Sequence, residues 1–173
     1  MKAAPQAQQR LLKLQELDTA LDRLAHRRRT LPEKAEIERL QARLAELRDA
    51  IVAAETEVGD LDREQKKAEQ DVEQVRTRAR RDQERLDSGM ITSAKELSSL
   101  QAEIASLQRR QSDLEEVVLE IMERREEAEA KAAGLRAERE AAERELAEVT
   151  KRRDEAWRQI DEESGTTSAA RTE

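Results

Sequence analysis

Apolar residues recur along this chain at alternating steps of three and four, in two runs parted by one short break, Asp87-Ser88-Gly89-Met90-Ile91-Thr92. The first run is Ile37, Leu40, Leu44, Leu47, Ile51, Ala54, Val58, Leu61, Gln65, Ala68, Val72, Val75, Ala79, Asp82 and Leu86, apolar at 13 of 15 positions. The second is Leu97, Leu100, Ile104, Leu107, Gln111, Leu114, Val118, Ile121, Arg125, Ala128, Ala132, Leu135, Arg139, Ala142, Leu146, Val149, Arg153, Ala156 and Ile160, apolar at 15 of 19. A seven-residue repeat held this far keeps a narrow seam toward a partner helix and imposes left-handed coiling. Joined by so short a break, the two runs predict an all-α fold, a long antiparallel coiled-coil helical hairpin.

A shorter stripe, Leu11, Leu14, Leu17, Leu21 and Leu24, predicts a first helix of about three to four turns. His26-Arg27-Arg28-Arg29 suits a helix C-terminus, and Pro32 then denies a hydrogen bond to the turn before it while fixing the start of the next helix. A kink or tight junction is expected there. The second helix should run from about Pro32 to Leu86, roughly 80 Å at the usual rise per residue. Gly89 permits the left-handed backbone that ends a helix, and Ser93 with Glu96 three residues on forms a capping box for the third helix. That helix should reach Glu163, because Ser164-Gly165-Thr166-Thr167-Ser168 has poor helix propensity. The organisation expected is therefore an N-terminal helix over 1–31, a hairpin over 32–163 with its tip at 87–92, and a flexible tail over 164–173.

Folding the chain about Ile91 and Thr92 puts Leu86 opposite Leu97, Ile51 opposite Ala132 and Ile37 opposite Leu146. The same fold leaves Leu11, Leu14 and Leu17 opposite the polar segment Gly165 to Glu173, which has no large apolar residue to receive them. Such a stripe folds back on the bundle, dimerises, or awaits a C-terminal neighbour. The last of these is the expectation taken forward.

Composition rules out a thick core. Charged residues make up 42% and hydrophobic ones 36%, and Trp157 is the single aromatic. A disordered chain of that composition would have no reason to hold Leu, Ile and Val in one heptad phase. Without cysteine there is no disulfide, thiolate nucleophile or cysteine-bound zinc, and His26 is the one histidine, so no cofactor or metal site is expected within these residues. Met1 to Gln9 is polar, lacking the apolar stretch of a signal peptide or membrane span, so a cytoplasmic protein is expected. Carboxylates are abundant but fall on solvated faces, with no glycine-rich phosphate loop and no nucleophile beside a histidine. An enzyme is not expected.

Charge is uneven along the chain. The net charge is −7, yet eight basic and five acidic residues lie between Arg76 and Gln111. The basic ones are Arg76, Arg78, Arg80, Arg81, Arg85, Lys95, Arg109 and Arg110. Arginine binds phosphate bidentately while its stem lies along the helix, so a basic coiled-coil arm can grip a nucleic-acid backbone without reading bases. The simpler reading is that these side chains flank the seam, pair with Asp71, Glu73, Asp82, Glu84 and Glu103, and keep the arm soluble.

Gln111, Arg125, Arg139 and Arg153 recur every fourteen residues at one seam class, and Gln65 and Asp82 interrupt the facing run. Polar seam residues lower stability and penalise wrong alignments. Trp157 lies near where Leu24 and His26 should return, either as packing at that junction or, if exposed, as a docking surface. Met90 and Ile91 at the turn fold over the last seam layer or form a contact point.

Leu86-Asp87-Ser88-Gly89, Thr92-Ser93-Ala94-Lys95-Glu96-Leu97, Leu100, Glu103-Ile104, Leu107, Arg110-Gln111, Leu114-Glu115, Leu119 and Met122-Glu123 mark the tip and the helix after it. With Leu11-Leu12, Leu14-Gln15, Leu17-Asp18, Leu31-Pro32 and Glu36-Ile37, this pattern resembles the bacterial coiled-coil proteins that end in a C4-type zinc ribbon. The resemblance implies a kinked helical hairpin followed by a zinc-binding domain, with roles in nucleic-acid binding and in partner regulation, including sigma-factor and secretion-system contacts. The four zinc cysteines are absent here, so zinc is expected only if a C-terminal ribbon is present in the native protein. The function expected is thus a non-catalytic arm that binds RNA or DNA through the basic distal half. The alternative is a protein adaptor docking on Leu11, Leu14, Leu17, Met90, Ile91 and Trp157, with dimerisation open and no membrane contact.

Overall fold

The computed structural model describes residues 5–172 and is all-helical in its regular elements: α1 (Pro5–Arg29), α2 (Pro32–Asp87) and α3 (Ala94–Thr172). The expectations for Met1 to Ala4 and for Glu173 concern residues outside the described ones. The chain divides into two units. One holds α1, α2 as far as Arg48 and α3 from Ala137; the other is Asp49–Arg136.

The seam is where the heptads put it. In the first unit Ile37, Leu40 and Val149 form a buried cluster with Leu146 packed against it, and Leu47 is fully buried. In the second, Leu61, Ala68, Ile121 and Ala128 are buried together, with Val58 and Val118 against them. No polar or charged residue is buried as a whole among the described residues. Every seam position of α2 is at least partly covered, and so is every one of α3 except Leu97.

The helix ends follow local chemistry. At the first junction the Thr30 N–H and hydroxyl both donate to the His26 carbonyl at 3.0 Å, closing α1, and Pro32 opens α2. At the tip the Ser88 N–H donates to Glu84 at 3.0 Å and Gly89 takes a φ of 67°, the left-handed turn expected there. The Ser93 hydroxyl accepts from the Glu96 N–H at 3.5 Å, which is the Ser93 half of the capping box.

Three expectations change. First, α1 is 25 residues long, more than its leucine stripe suggests. Within the first unit it runs antiparallel to the end of α3, with Asp18 on Arg171 at 2.6 Å and Arg28 on Asp161 at 3.1 Å. Since α2 likewise runs antiparallel to α3 there, with Glu36 on Arg152 at 3.3 Å, Pro32 interrupts the path without reversing it.

Second, the stretch expected as a frayed tail is helical to Thr172. Its hydroxyls turn back onto the helix, Thr166 donating to the Glu162 carbonyl at 2.6 Å and Thr167 to Glu163 at 2.7 Å. The Asp18–Arg171 pair ties that end to α1, so tertiary contact overrides weak propensity.

Third, the register differs from a fold about Ile91. Glu57 meets Lys131 at 3.2 Å and Glu64 meets Arg124 at 3.5 Å, a shift of about five residues, or one and a half turns, along α3. Its first turn is spent at the tip, so Leu97 is exposed and Leu100 is the first buried layer.

Leu47→Ala should lower stability by about 2–3 kcal/mol through lost burial and cavity formation. Gly134→Ala should raise it by about 1 kcal/mol, because a methyl group there meets nothing within 4 Å and alanine favours the helix. Urea denaturation followed by circular dichroism measures both; a stabilising Leu47→Ala would contradict the seam.

Candidate functional site

The basic residues gather at the tip end of the second unit, and the structure separates them by partner. Arg76 sits 3.3 Å from Glu73 and 3.2 Å from Glu115 across the seam, and Arg78 pairs with Glu103. These pairs match the solvation reading for two of the eight. Arg80, Arg81, Arg85, Lys95, Arg109 and Arg110 are exposed and have no carboxylate within ion-pair distance among the described residues. Arg85 and Lys95 line one open groove at the tip with Ile91, Glu96 and Glu103, and Arg78 and Arg81 line another along α2. Arg76 and Arg78 point to opposite sides of the seam, since their partners Glu115 and Glu103 flank it on different sides. The eight therefore do not form one patch.

Of the seam's polar residues, Arg125 and Gln65 pair across the seam, whereas Gln111 and Arg139 pair within α3. The Arg125 guanidinium donates to the Gln65 side-chain oxygen at 2.9 Å across the seam and lies 3.1 Å from Glu129 and 3.9 Å from Asp62. Gln111 donates to Glu115 at 2.8 Å, and Arg139 lies 3.4 Å from Glu143. Lys66 donates to Asp62 at 2.6 Å, and that hydrogen bond holds the Asp62 carboxyl below the ordinary aspartate range. Asp82 is half buried, with one carboxylate oxygen left without a hydrogen bond.

The candidate partner-binding residues fall into two groups. Leu11 and Leu14 on α1 are 64% and 38% exposed, and Met90 at the tip is 81% exposed. Leu17 and Ile91 are half covered. Trp157 is also half buried, with the Arg153 guanidinium 4.6 Å and that of Arg28 5.6 Å from its ring centroid. Its ring is thus engaged within the first unit, packing the junction of α1 with α3, and its indole nitrogen is buried without a partner. Sequence reasoning missed this arginine stacking. The spacing of Arg153 and Trp157, one helical turn apart, was the available signal.

A groove of about 560 Å³ opens beside Gly59 between Glu55, Asp62, Arg125, Glu129 and Arg136. Its charges are spent on each other, Glu55 pairing with Arg136 at 2.5 Å and Arg125 with Glu129. The chain has no cysteine, and no group of three or more His, Asp or Glu is placed to hold a metal ion among the described residues. No described helix is long and apolar enough to cross a membrane.

Comparison with known proteins agrees with this architecture. Residues 14–173 match the family described as the CT398-like coiled coil hairpin domain. Two uncharacterized proteins of Mycobacterium tuberculosis, one from strain CDC 1551 and one from strain H37Rv, are each 41% identical over 110 residues, which is 64% of this chain and 44% of the relative. An uncharacterized protein of Mycobacterium leprae is 36% identical over 97 residues, 56% of this chain and 41% of the relative. Each match spans less than half the length of these curated relatives. A solved structure from Mycobacterium smegmatis is similar with a TM-score of 0.78 and 35% identity, covering 99% of this chain and 71% of that one.

If Gln65 and Arg125 act as a unit, a double-mutant cycle with alanine should give a coupling of about 1 kcal/mol; additive effects would mean the cross-seam bond contributes nothing. Asp62 should titrate below an unstructured aspartate by carboxyl NMR. Its contribution to stability is complete above the unfolded value near pH 4 and fades as pH falls through the lowered folded value. Lys66→Met should move that titration upward.

Proposed function

The chain belongs to the CT398-like coiled coil hairpin domain family, and from that premise we propose that it is a non-catalytic arm that binds the phosphate backbone of RNA or DNA. The observation that supports this reading is the set of six exposed basic side chains at the tip end of the second unit without a carboxylate partner among the described residues. Along the rest of that unit Arg63, Lys66, Arg124, Arg125, Lys131 and Arg136 each have a carboxylate partner, and Lys67 is the exception among the described residues. A surface built only for solubility has no need to leave one stretch uncompensated. Backbone contact requires charge and no aromatic stacking, in keeping with a chain whose one aromatic residue is engaged elsewhere. The resemblance to zinc-ribbon proteins belongs to the same proposal. Such a ribbon would lie outside these residues and would hold its zinc there.

A second reading rests on a different observation. Leu11 and Met90 are among the most exposed large apolar side chains, and an adaptor would dock a protein partner, or a second copy, on α1 and the tip. Salt separates the two readings, because phosphate binding releases counterions and leucine docking does not.

Anisotropy of labelled RNA and DNA across a salt series, with circular dichroism as the folding control, tests the first reading. Affinity should fall about a hundredfold between roughly 50 and 200 mM salt for four phosphate contacts. Changing Arg80, Arg81, Arg109 and Arg110 to Glu should abolish binding with helicity intact. Binding unaffected by salt or by that variant would sink the phosphate reading and favour the leucines.

A further inference from the structure

Along one edge of the second unit opposite charges meet across the seam, Glu57 with Lys131 and Glu64 with Arg124. Each step of seven residues up α2 answers a step of seven back along α3, as heptad pairing requires. The same register then brings Asp71 to Val117, Arg78 to Arg110 and Arg85 to Glu103. Arg85 and Glu103 do line one groove. Arg78 and Arg110 carry the same sign on an edge where Glu57–Lys131 and Glu64–Arg124 are opposite and Asp71 faces the uncharged Val117.

The ion pairs leave that layer unfilled, by a reach of one heptad that Arg43 also makes to Glu138 in the first unit. Arg78 reaches to Glu103, one heptad nearer the tip than its facing position, and Arg110 is left exposed with no carboxylate in ion-pair range among the described residues. Arg81, three residues after Arg78 and lining the same groove, adds a third positive charge to the layer.

The other edge of the unit shows how the fold treats like charges when it compensates them itself. There the pairs Glu55–Arg136 and Arg76–Glu115 set a register that brings Asp62 to Glu129, two carboxylates. Arg125 stands between them, 3.9 Å from one and 3.1 Å from the other. The carboxylate layer therefore has its countercharge built in, whereas the arginine layer lacks an equivalent at Arg110.

We propose that the like-charge layer of Arg78 and Arg110, extended by Arg81, is where the hairpin takes a backbone phosphate of a nucleic acid, the phosphate supplying from outside the countercharge that Arg125 supplies within. This inference rests on the nucleic-acid reading above and locates it. Of the eight candidate residues, the contact edge is the one carrying Arg78, Arg81 and Arg110, with Arg76 on the opposite side of the seam.

Arg110→Glu tests it, because the layer makes stability and binding move in opposite directions. In the free protein the new carboxylate faces Arg78, so the thermal midpoint should rise. The same change should weaken binding of a labelled RNA or DNA duplex on the order of tenfold at low salt and reduce the salt slope by about one. Arg109→Glu, an equal charge change one position away on the outer face, is the control: it should weaken binding less and leave the thermal midpoint unraised. Equal losses of affinity in the two variants would overturn the site while leaving the nucleic-acid reading in place. A lowered thermal midpoint in Arg110→Glu would also overturn it, by showing that the layer is not repulsive. Absence of binding by the unmodified chain would overturn both.

Discussion

The seam between α2 and α3 is the constraint from which the rest follows, because neither helix has another apolar surface to bury. In each unit the core is one side chain thick on either side of the contact, built from Leu40, Leu47 and Val149 in one and Leu61, Ala68, Ile121 and Ala128 in the other. Burial of so narrow a strip stabilises only if both helices keep the same phase. One consequence is the choice of residues beside it. Exposed ion pairs contribute little stability singly, on the order of 0–1 kcal/mol, but a mismatched alignment would set like charges face to face along the whole edge. Pairs such as Glu57–Lys131 and Glu64–Arg124 therefore select an alignment more than they hold it together.

Departures from that pairing are where the molecule has something to spare for other work. Arg125 lies in a seam position that would otherwise be apolar, yet its stem covers the seam and its guanidinium serves Gln65, Asp62 and Glu129 together. That is a polar layer closed on itself. Near the tip the compensation stops and basic side chains stand in solvent. That unmatched charge is what the proposed phosphate contact rests on, since guanidinium groups suit phosphate.

Helix α1 obeys different physics. None of its residues is fully buried: Leu17, Leu21 and Leu24 are half covered, and ionic and aromatic contacts tie it to α3, Arg28 near Trp157, Arg28 on Asp161 and Asp18 on Arg171. Few buried apolar contacts and many solvent-exposed ones place it at the low end of local stability within its unit. Leu11 and Leu14 remain open because they lie beyond the Asp18–Arg171 pair, past the last described turn of α3, where no residue of that helix faces them among the described residues.

The heptad phase, the two breaks and the basic stretch were legible in the sequence by itself, because each is local: a 3.5-residue period, a proline, a glycine at positive φ, a count of charges. The covered seam positions, the tip and the junction fall where those signals put them, with Leu97 as the exception. Tertiary structure alone decided the register, the helical state of Ser164 to Thr172, and which arginines are paired. Register depends on how a six-residue tip spends its length and on charges sixty residues apart meeting across the seam, as Glu64 and Arg124 do. Propensity could not foresee that Asp18 would fasten the end of α3, nor could composition show that Arg78 has a carboxylate in reach and Arg110 does not. Such contacts are fixed by geometry between distant segments, and a pattern read along one chain carries no information about them until the register is known.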